Sequence, residues 1–249
     1  ACLVGSEMCI RDRFHPSCDN GRMPDDTVPL NANRPEPSYV RPQQGRFTAE
    51  VEIKRSRFIA LAERCTSEDE AREFINSIRR EYPDARHHCS AFVVHVDSAQ
   101  PIERSSDDGE PAGTAGQPML EVLKGWHTPE PLQDVAVVVV RYFGGVKLGT
   151  GGLVRAYQEA TREVLQQVPL VLRRQLDLYT CDVPHADAGR VEAEVRAAGY
   201  TVVGVEYKAV AELSIACEPG APLPDFLASI TSGTAEPHLE GQRWIEDTL

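Results

Sequence analysis

The spacing of apolar residues in the first half of the chain predicts β-strands with a helix between them. FTAEVEI (47–53) and RFIALAER (57–64) have the composition of strands, and the three residues between them are enough for a hairpin turn. A helix is predicted over 67–82, because a Ser-x-x-Glu capping box precedes apolar residues that recur on one face up to a proline. Two further strands are predicted at 87–96 and 100–106.

The middle of the chain contains one segment that is apolar throughout. Residues 135–140 predict a strand in the middle of a sheet that is covered on both faces. Before it, Thr114 and Gln117 are placed to cap a helix with apolar residues on its buried side. After it, five glycines lead into a second helix, which begins near Gly152 and ends before Pro169.

The last part of the chain has a different order of elements. Strands are predicted at 170–182, 201–207, 208–217 and 238–247, with helices at 186–198 and 224–232. This β-α-β-β-α-β order is that of ferredoxin-like domains. We therefore predict an α+β protein with an N-terminal domain over 45–169 and a ferredoxin-like domain over 170–249.

Residues 1–44 are predicted to be a disordered or artefactual segment. They begin with ACLVGSEMCIRDR, which looks like translated adaptor sequence, and continue as a stretch rich in Pro, Asn and Asp without any period. We leave them out of the fold prediction.

Composition narrows the class of protein. A chain that is 41% hydrophobic and 26% charged is typical of soluble globular proteins, and its longest apolar run is far short of the roughly 20 residues of a membrane span. Seven cysteines without a C-x-x-C pair indicate neither a disulfide framework nor a zinc ribbon. We expect a reducing, cytoplasmic location.

The net charge of −12 argues against a general polyanion binder. Its distribution is uneven, however. Residues 176–249 contain thirteen acidic and four basic residues, whereas residues 141–174 contain six basic and two acidic ones. The basic stretch coincides with the glycine-rich segment.

The segment RYFGGVKLGTGGLVRAY (141–157) predicts an anion-binding loop. A strand, a glycine turn and a helix N-terminus place unpaired N–H groups and the positive end of a helix dipole at one point. The segment is neither a P-loop nor a Rossmann fingerprint. The alternative is that its glycines only let the helix pack closely on the sheet.

Three carboxylates, Asp107, Asp108 and Glu110, follow Ser105 and Ser106 in the second candidate segment. They are candidate ligands for a metal ion, in particular a magnesium ion that accompanies a bound phosphate, although no cofactor is otherwise expected. The alternative is an acidic turn followed by a capped helix.

Histidine and cysteine offer a weaker alternative. His87 and Cys89 have the same parity in one predicted strand, so a Cys/His nucleophile pair is conceivable, and His88 points to the other face. Neither G-x-S-x-G nor H-E-x-x-H occurs.

Four strings, KRSRFIA, HHCSAF, ERSSDDGEPAGTAGQPML and VAVVVVRYFGGVKLGTGGLVRAYQEA, occur in this order and closely resemble the IMPACT family, which includes the bacterial YigZ proteins. The resemblance covers roughly Phe47 to the C-terminus. It implies that the first domain is similar to the second domain of a small-subunit ribosomal protein, a left-handed βαβ arrangement shared with a translation elongation factor and with small-molecule kinases. The second domain is expected to be similar to the last, ferredoxin-like domain of that factor.

Eukaryotic members of the family regulate translation by restraining a kinase that responds to amino-acid starvation, and they carry an extra N-terminal module for which residues 1–44 leave no room. The resemblance implies a ligand- or phosphate-binding site, with two further groups of motif residues. The binding residues are Arg55, Ser56, Arg57, Arg141, Tyr142, Phe143, Gly144, Gly145, Lys147, Gly149, Gly151, Gly152 and Arg155; the acidic-turn residues are Ser105, Ser106, Asp107, Asp108, Glu110 and Thr114; the others are His87 and Cys89. Relatives usually read H-N-C-W-A-Y where this chain reads HHCSAF, so an aromatic residue is missing at Ser90 and weaker stacking is expected.

Three functional hypotheses follow. The first is a non-enzymatic regulator that binds RNA or the translation machinery through a cleft between the glycine loop and the acidic turn, with Asp107 and Asp108 neutralised by Arg141 or Arg57 or bridged by a metal ion. The second is a small-molecule enzyme that binds a nucleotide or phosphate in the same cleft. The third is a protein–protein adaptor whose acidic ferredoxin-like domain binds a basic partner.

Overall fold

The computed structural model describes residues 37–249. The strands are β1 (Tyr39–Pro42), β2 (Arg46–Ile53), β3 (Ser56–Arg64), β4 (His87–Val94), β5 (Ile102–Ser106), β6 (Val135–Tyr142), β7 (Leu170–Val183), β8 (Thr201–Tyr207), β9 (Ala211–Cys217) and β10 (His238–Thr248). The helices are α1 (Glu68–Glu81), α2 (Gly116–Lys124), α3 (Thr150–Leu165), α4 (His185–Ala197) and α5 (Leu223–Thr231).

The N-terminal sheet has the order β2-β3-β6-β4-β5, and every neighbouring pair is antiparallel. The apolar strand β6 lies in its centre, as the sequence predicts. Val137 and Val139 pack with α2 and α3 on one face, whereas Val138 and Val140 pack with α1 on the other. This arrangement places the end of β6 next to the beginnings of β3 and β4, beside the beginning of α3.

The C-terminal sheet has the order β10-β7-β9-β8 and is also antiparallel. Numbered within the last part of the chain, this is strand order 4-1-3-2, which the β-α-β-β-α-β sequence of a ferredoxin-like domain produces. Its core lies between the sheet and α4 and α5, with Leu213, Ile215 and Leu227 fully buried. The prediction of an α+β fold with a ferredoxin-like second half is confirmed.

The short strand β1 differs from the prediction that residues 1–44 are disordered. Tyr39–Pro42 pairs with the first residues of β7 and is entirely buried. The Tyr39 hydroxyl donates to Asp134 at 2.8 Å and Arg41 donates to the same carboxylate at 2.9 Å, while Arg41 also pairs with Glu246. A four-residue strand in a proline-rich stretch has no recognisable period, so it is invisible to pattern analysis. The part of the segment before residue 37 lies outside the described residues.

Helix starts are only partly as predicted. The Ser67 side chain accepts the Glu70 amide at 3.1 Å and caps α1 as expected, whereas the Glu70 carboxylate accepts the Thr66 amide.

No helix within residues 37–249 is long and apolar enough to cross a bilayer.

Candidate functional site

A cavity of about 630 Å³, which we call the α3 cavity, lies where the end of β6 meets the beginning of α3. Both the glycine-rich segment and the acidic turn contribute to its wall, as does the end of the loop before β4. Its lining consists of Asp84, Arg86, His87, Glu110, Pro111, Arg141, Tyr142, Phe143, Lys147, Leu148, Gly149, Thr150 and Leu153.

Glycine is required at two points of the loop between β6 and α3. A Cβ atom at Gly144 would lie 1.9 Å from the Arg55 carbonyl oxygen, so the loop packs directly on the β2–β3 turn, and the Gly144 amide donates to Ser56 Oγ at 3.2 Å. Gly149 precedes α3 with φ 74° and ψ 167°, a conformation essentially restricted to glycine. The loop is thereby held against the hairpin while the start of α3 faces the cavity.

The amides at the start of α3 have no acceptor within residues 37–249. The first helical hydrogen bond runs from the Leu153 amide to the Gly149 carbonyl at 2.9 Å, and no side chain caps the helix. The amides of Gly149, Thr150, Gly151 and Gly152 are therefore unpaired. These groups carry the partial positive charge of the helix N-terminus, which favours an anion.

Arg141 lies in the wall of the same cavity and is deeply buried. Its Nη1 donates to Glu110 Oε1 at 2.5 Å, and only 9% of its side chain is exposed. Its Nε is buried with no hydrogen-bond partner in the described chain. The guanidinium lies 5.5 Å from the Phe58 ring centroid and 5.7 Å from that of Phe143, so aromatic rings hold it in place.

The rim of the cavity is basic and aromatic. Arg86 and Lys147 are exposed and make no ion pair within residues 37–249. Asp84, the one exposed carboxylate in the lining, accepts the Tyr142 hydroxyl at 2.8 Å. Phe143 is 59% exposed, which is unusual for a large apolar side chain and leaves a ring face open to solvent beside the two cations.

Asp107 of the acidic turn caps helix α2 from a distance. Its carboxylate accepts the amides of Gly113, Ala115 and Gly116 at 2.7, 3.0 and 2.8 Å. Burial by itself raises the pKa of Asp107, but these three backbone donors outweigh it and hold the pKa below its ordinary value. Thr114, predicted to be the cap, donates instead to the Pro111 carbonyl, and the N-cap residue Ala115 has no side chain that can accept.

Asp108 and Glu110 point away from Asp107. Asp108 accepts the His88 amide at 2.7 Å and pairs with Arg79 at 2.8 Å, so neither Arg141 nor Arg57 neutralises Asp107 or Asp108. Glu110 instead binds Arg141 and the Tyr157 hydroxyl. The three carboxylates thus have separate partners, and the part of the chain that the structure describes contains no group of three or more His, Cys, Asp or Glu side chains arranged for a metal ion.

His87 and Cys89 do not form a nucleophile pair. His87 Nδ1 donates a hydrogen bond to the Asp108 carbonyl at 2.9 Å, whereas the Cys89 thiol donates to the Asp107 carbonyl at 3.0 Å. Burial raises the pKa of Cys89 to about 12, partly offset by its hydrogen bond with Tyr157. A neutral, enclosed thiol is a poor nucleophile.

The remaining candidate residues fall into three groups. Ser56, Arg55 and Gly144 form the contact behind the loop, while Gly145, Gly151 and Gly152 belong to the loop and the first turn of α3. Arg57 pairs with Glu50 at 2.8 Å and Arg155 is exposed, and neither lines the cavity. Ser105 and Ser106 lie on β5 in a different surface depression, together with Ser90.

That placement changes the expectation for Ser90. The residue is buried and belongs to the depression between α1 and β5, so an aromatic side chain at this position would not reach the α3 cavity. Sequence analysis misses the lining residues Asp84 and Arg86, and no signal in the sequence marks them. Pro111, Leu148, Thr150 and Leu153 also line the cavity and lie within the two quoted motif segments, although they are not among the individual candidates.

Comparison with known proteins agrees with this architecture. The family described as Impact N-terminal domain matches residues 54–165, and a domain of unknown function, DUF1949, matches residues 181–234. "IMPACT family member YvyE" of Bacillus subtilis (strain 168) is 36% identical over 189 residues, 75% of this chain and 84% of the relative. The chain belongs to the IMPACT family. A second member, "IMPACT family member YigZ" of Escherichia coli (strain K12), is 38% identical over 183 residues, 74% of this chain and 87% of the relative.

A solved structure described as that of a hypothetical protein is also similar to this IMPACT protein. It is 36% identical, covers 81% of this chain and 97% of its own, and superposes with a TM-score of 0.52. The Impact N-terminal match includes every residue that lines the α3 cavity.

Proposed function

We propose that this IMPACT protein is a translation-associated regulator that binds RNA through the α3 cavity. The observation that carries the proposal is the position of the α3 N-terminus, where Gly149 and Thr150 have unpaired amides and line the same cavity as the buried guanidinium of Arg141. A helix N-terminus and an arginine are the groups that proteins use to bind phosphate. The family resemblance links the protein to translation. We therefore expect the RNA to be part of the ribosome or bound to a translation factor.

The residues at the rim of the cavity favour RNA over a simple anion as the ligand. Lys147 and Arg86 have no intramolecular counter-ion within residues 37–249, so their charge is available to a phosphate chain. The exposed Phe143 ring offers a surface on which an unpaired base can stack. A cytoplasmic location is part of the proposal. Four cysteines, Cys65, Cys89, Cys181 and Cys217, are buried and form no disulfide, which is consistent with a reducing compartment.

The proposal is tested by titrating the protein with a short single-stranded RNA at several salt concentrations. Binding is expected to weaken as salt increases, and Lys147→Ala is expected to lower the slope of log K against log salt by about 1. Lys208→Ala is the control, because that exposed lysine lies at the end of the acidic C-terminal sheet. Binding without salt dependence, or an equal effect of both variants, would contradict the proposal.

A nucleotide-dependent enzyme that uses the same cavity is the second candidate. The observation in its favour is the volume of about 630 Å³, within the range of about 300–1,000 Å³ that encloses a small molecule. Nucleotides with and without magnesium would distinguish it in a thermal-shift measurement, since a ligand at 100 times its dissociation constant adds about 2.7 kcal/mol to the free energy of unfolding. Turnover of the bound nucleotide would be required in addition.

A further inference from the structure

We propose that the α3 cavity is selective for a nucleoside 5′-phosphate monoester, either as a free mononucleotide or as the 5′ end of an RNA. This inference rests on the proposed function for its RNA source, but the free nucleotide would satisfy it without RNA. It assigns the phosphate to the α3 amides and Arg141, and the base to Phe143.

The depth of Arg141 favours a terminal phosphate. With 91% of its side chain buried, Arg141 lies in the wall of the cavity and not at the protein surface. A phosphodiester inside an RNA chain continues on both sides, so it can approach such a group only by bringing two chain segments into the cavity. A monoester has one attachment and can enter on its own.

The number of donors favours a monoester as well. Gly149 and Thr150, whose amides are unpaired, line the cavity together with Arg141 and Lys147. A phosphate monoester carries about −1.5 to −2 charge at pH 7 and three terminal oxygens, compared with one charge and two terminal oxygens in a diester. The larger set of acceptors matches the larger set of donors.

Gly151 lies next to Thr150 in the first turn of α3 and leaves the surface of that turn open. Its backbone is ordinary helix, and a Cβ atom added there would have no atom within 4 Å, so no described residue requires glycine at this position. Glycine inside a helix is less favourable than alanine. Because Cβ atoms tilt toward the helix N-terminus, a methyl group at 151 would stand beside the unpaired amides. Such a methyl group would hinder a phosphate bound to those amides.

The position of Phe143 defines the nucleoside part. Its ring lies 5.7 Å from the Arg141 guanidinium carbon and is mostly exposed, so a base that stacks on it would place its own 5′-phosphate at the cavity. The cavity volume accommodates one nucleotide and excludes a double helix. Stacking on an aromatic ring tolerates any base, and no base preference is therefore expected.

The test compares four probes by equilibrium binding to the full chain: a five-nucleotide RNA with a 5′-phosphate, the same RNA with a 5′-hydroxyl, AMP, and adenosine. The 5′-phosphorylated RNA is expected to bind at least about 10-fold more tightly than the 5′-hydroxyl RNA, and AMP at least about 10-fold more tightly than adenosine, the factor of one good charged hydrogen bond. Phe143→Leu is expected to weaken binding of the phosphorylated RNA about 5- to 150-fold.

Gly151→Ala provides the matched variant that leaves the fold intact. It is expected to reduce binding of AMP and of the phosphorylated RNA while the melting temperature stays equal or rises. Gly189→Ala is the control, because Gly189 also lies in a helix with nothing within 4 Å of an added Cβ atom, on α4 away from the cavity. Arg141→Lys is the second variant and is expected to lose the preference for the phosphorylated end.

The outcomes separate this inference from the proposed function. Equal binding of phosphorylated and hydroxyl RNA would overturn the inference and leave RNA binding standing. Binding of AMP over adenosine without any RNA binding would support the inference through the free nucleotide and overturn the RNA function. Unchanged AMP binding by Gly151→Ala, or the absence of binding by every probe, would overturn the inference.

Discussion

Arg141 and Glu110 form a buried ion pair, with Nη1 and Oε1 2.5 Å apart, although they are 31 residues apart in the sequence. Glu110 also accepts the Tyr157 hydroxyl of α3 at 2.9 Å. The pair therefore joins the acidic turn, the central strand and the helix at the back of the cavity, and it fixes the guanidinium on which the proposed phosphate site depends.

Removing Glu110 is expected to leave the Arg141 charge buried without compensation. Glu110→Ala should lower the free energy of unfolding by about 3–5 kcal/mol, measured by urea denaturation. Glu50→Ala is the control, because its pair with Arg57 is exposed and its loss should change stability far less. Similar losses for both variants would show that the Arg141–Glu110 pair has no special role in the fold.

Replacement of Asp107 is expected to remove the cap of α2. Asp107→Ala leaves three backbone amides without their acceptor and should cost about 1–2 kcal/mol. Because the folded pKa is lowered, the stabilisation is complete above the ordinary Asp pKa of about 3.9 and is lost as the pH falls through the lower folded value. Unfolding free energies of the wild type and Asp107→Ala from pH 7 down to pH 2.5 should therefore converge only below pH ~3.9; a constant difference over that range would contradict this cap.

Gly144→Ala is expected to destabilise the protein sterically. The new Cβ atom would lie 1.9 Å from the Arg55 carbonyl oxygen, so either the loop or the hairpin turn must move, at a cost of about 3 kcal/mol. A lower melting temperature is the measurement, with Gly189→Ala as the variant that meets no atom. An unchanged melting temperature for Gly144→Ala would mean that the loop does not pack on the turn.

Cys89 is expected to resist alkylation in the folded protein. Its pKa of about 12 leaves almost no thiolate at pH 8, and its side chain is fully buried. Site-resolved mass spectrometry after iodoacetamide treatment should show labelling at least roughly 100-fold slower than in urea. Rapid labelling of Cys89 without denaturant would revive the nucleophile hypothesis.

Much of the fold can be predicted from the sequence, because the spacing of apolar residues depends on the local geometry of each helix or strand. The run from Val135 to Val140 predicts a strand covered on both faces, and both of its faces are indeed packed against helices. The capping box at Ser67 places the start of α1 correctly. In the same way, the glycines before α3 locate the loop that lines part of the cavity.

The chemistry of the site is harder to predict from the sequence, because it depends on contacts between segments that are distant in the chain. Asp107 looks like part of a local turn, yet it caps a helix that begins nine residues later. The burial of Arg141 follows from the partner that the sheet brings to it. Arg86 is one cation among many in the sequence, and only the arrangement of β4 beside β6 shows that it borders the cavity.

Strand β1 has a practical consequence for any attempt to express a shortened form of this protein. A shortened chain that starts at Phe47 would leave the buried Asp134 carboxylate without its hydrogen bonds from the Tyr39 hydroxyl and the Arg41 guanidinium. It would also uncover one edge of β7, whose unpaired amides and carbonyls invite association with other chains. Dissection of this protein into halves should therefore keep residues 37–45 attached.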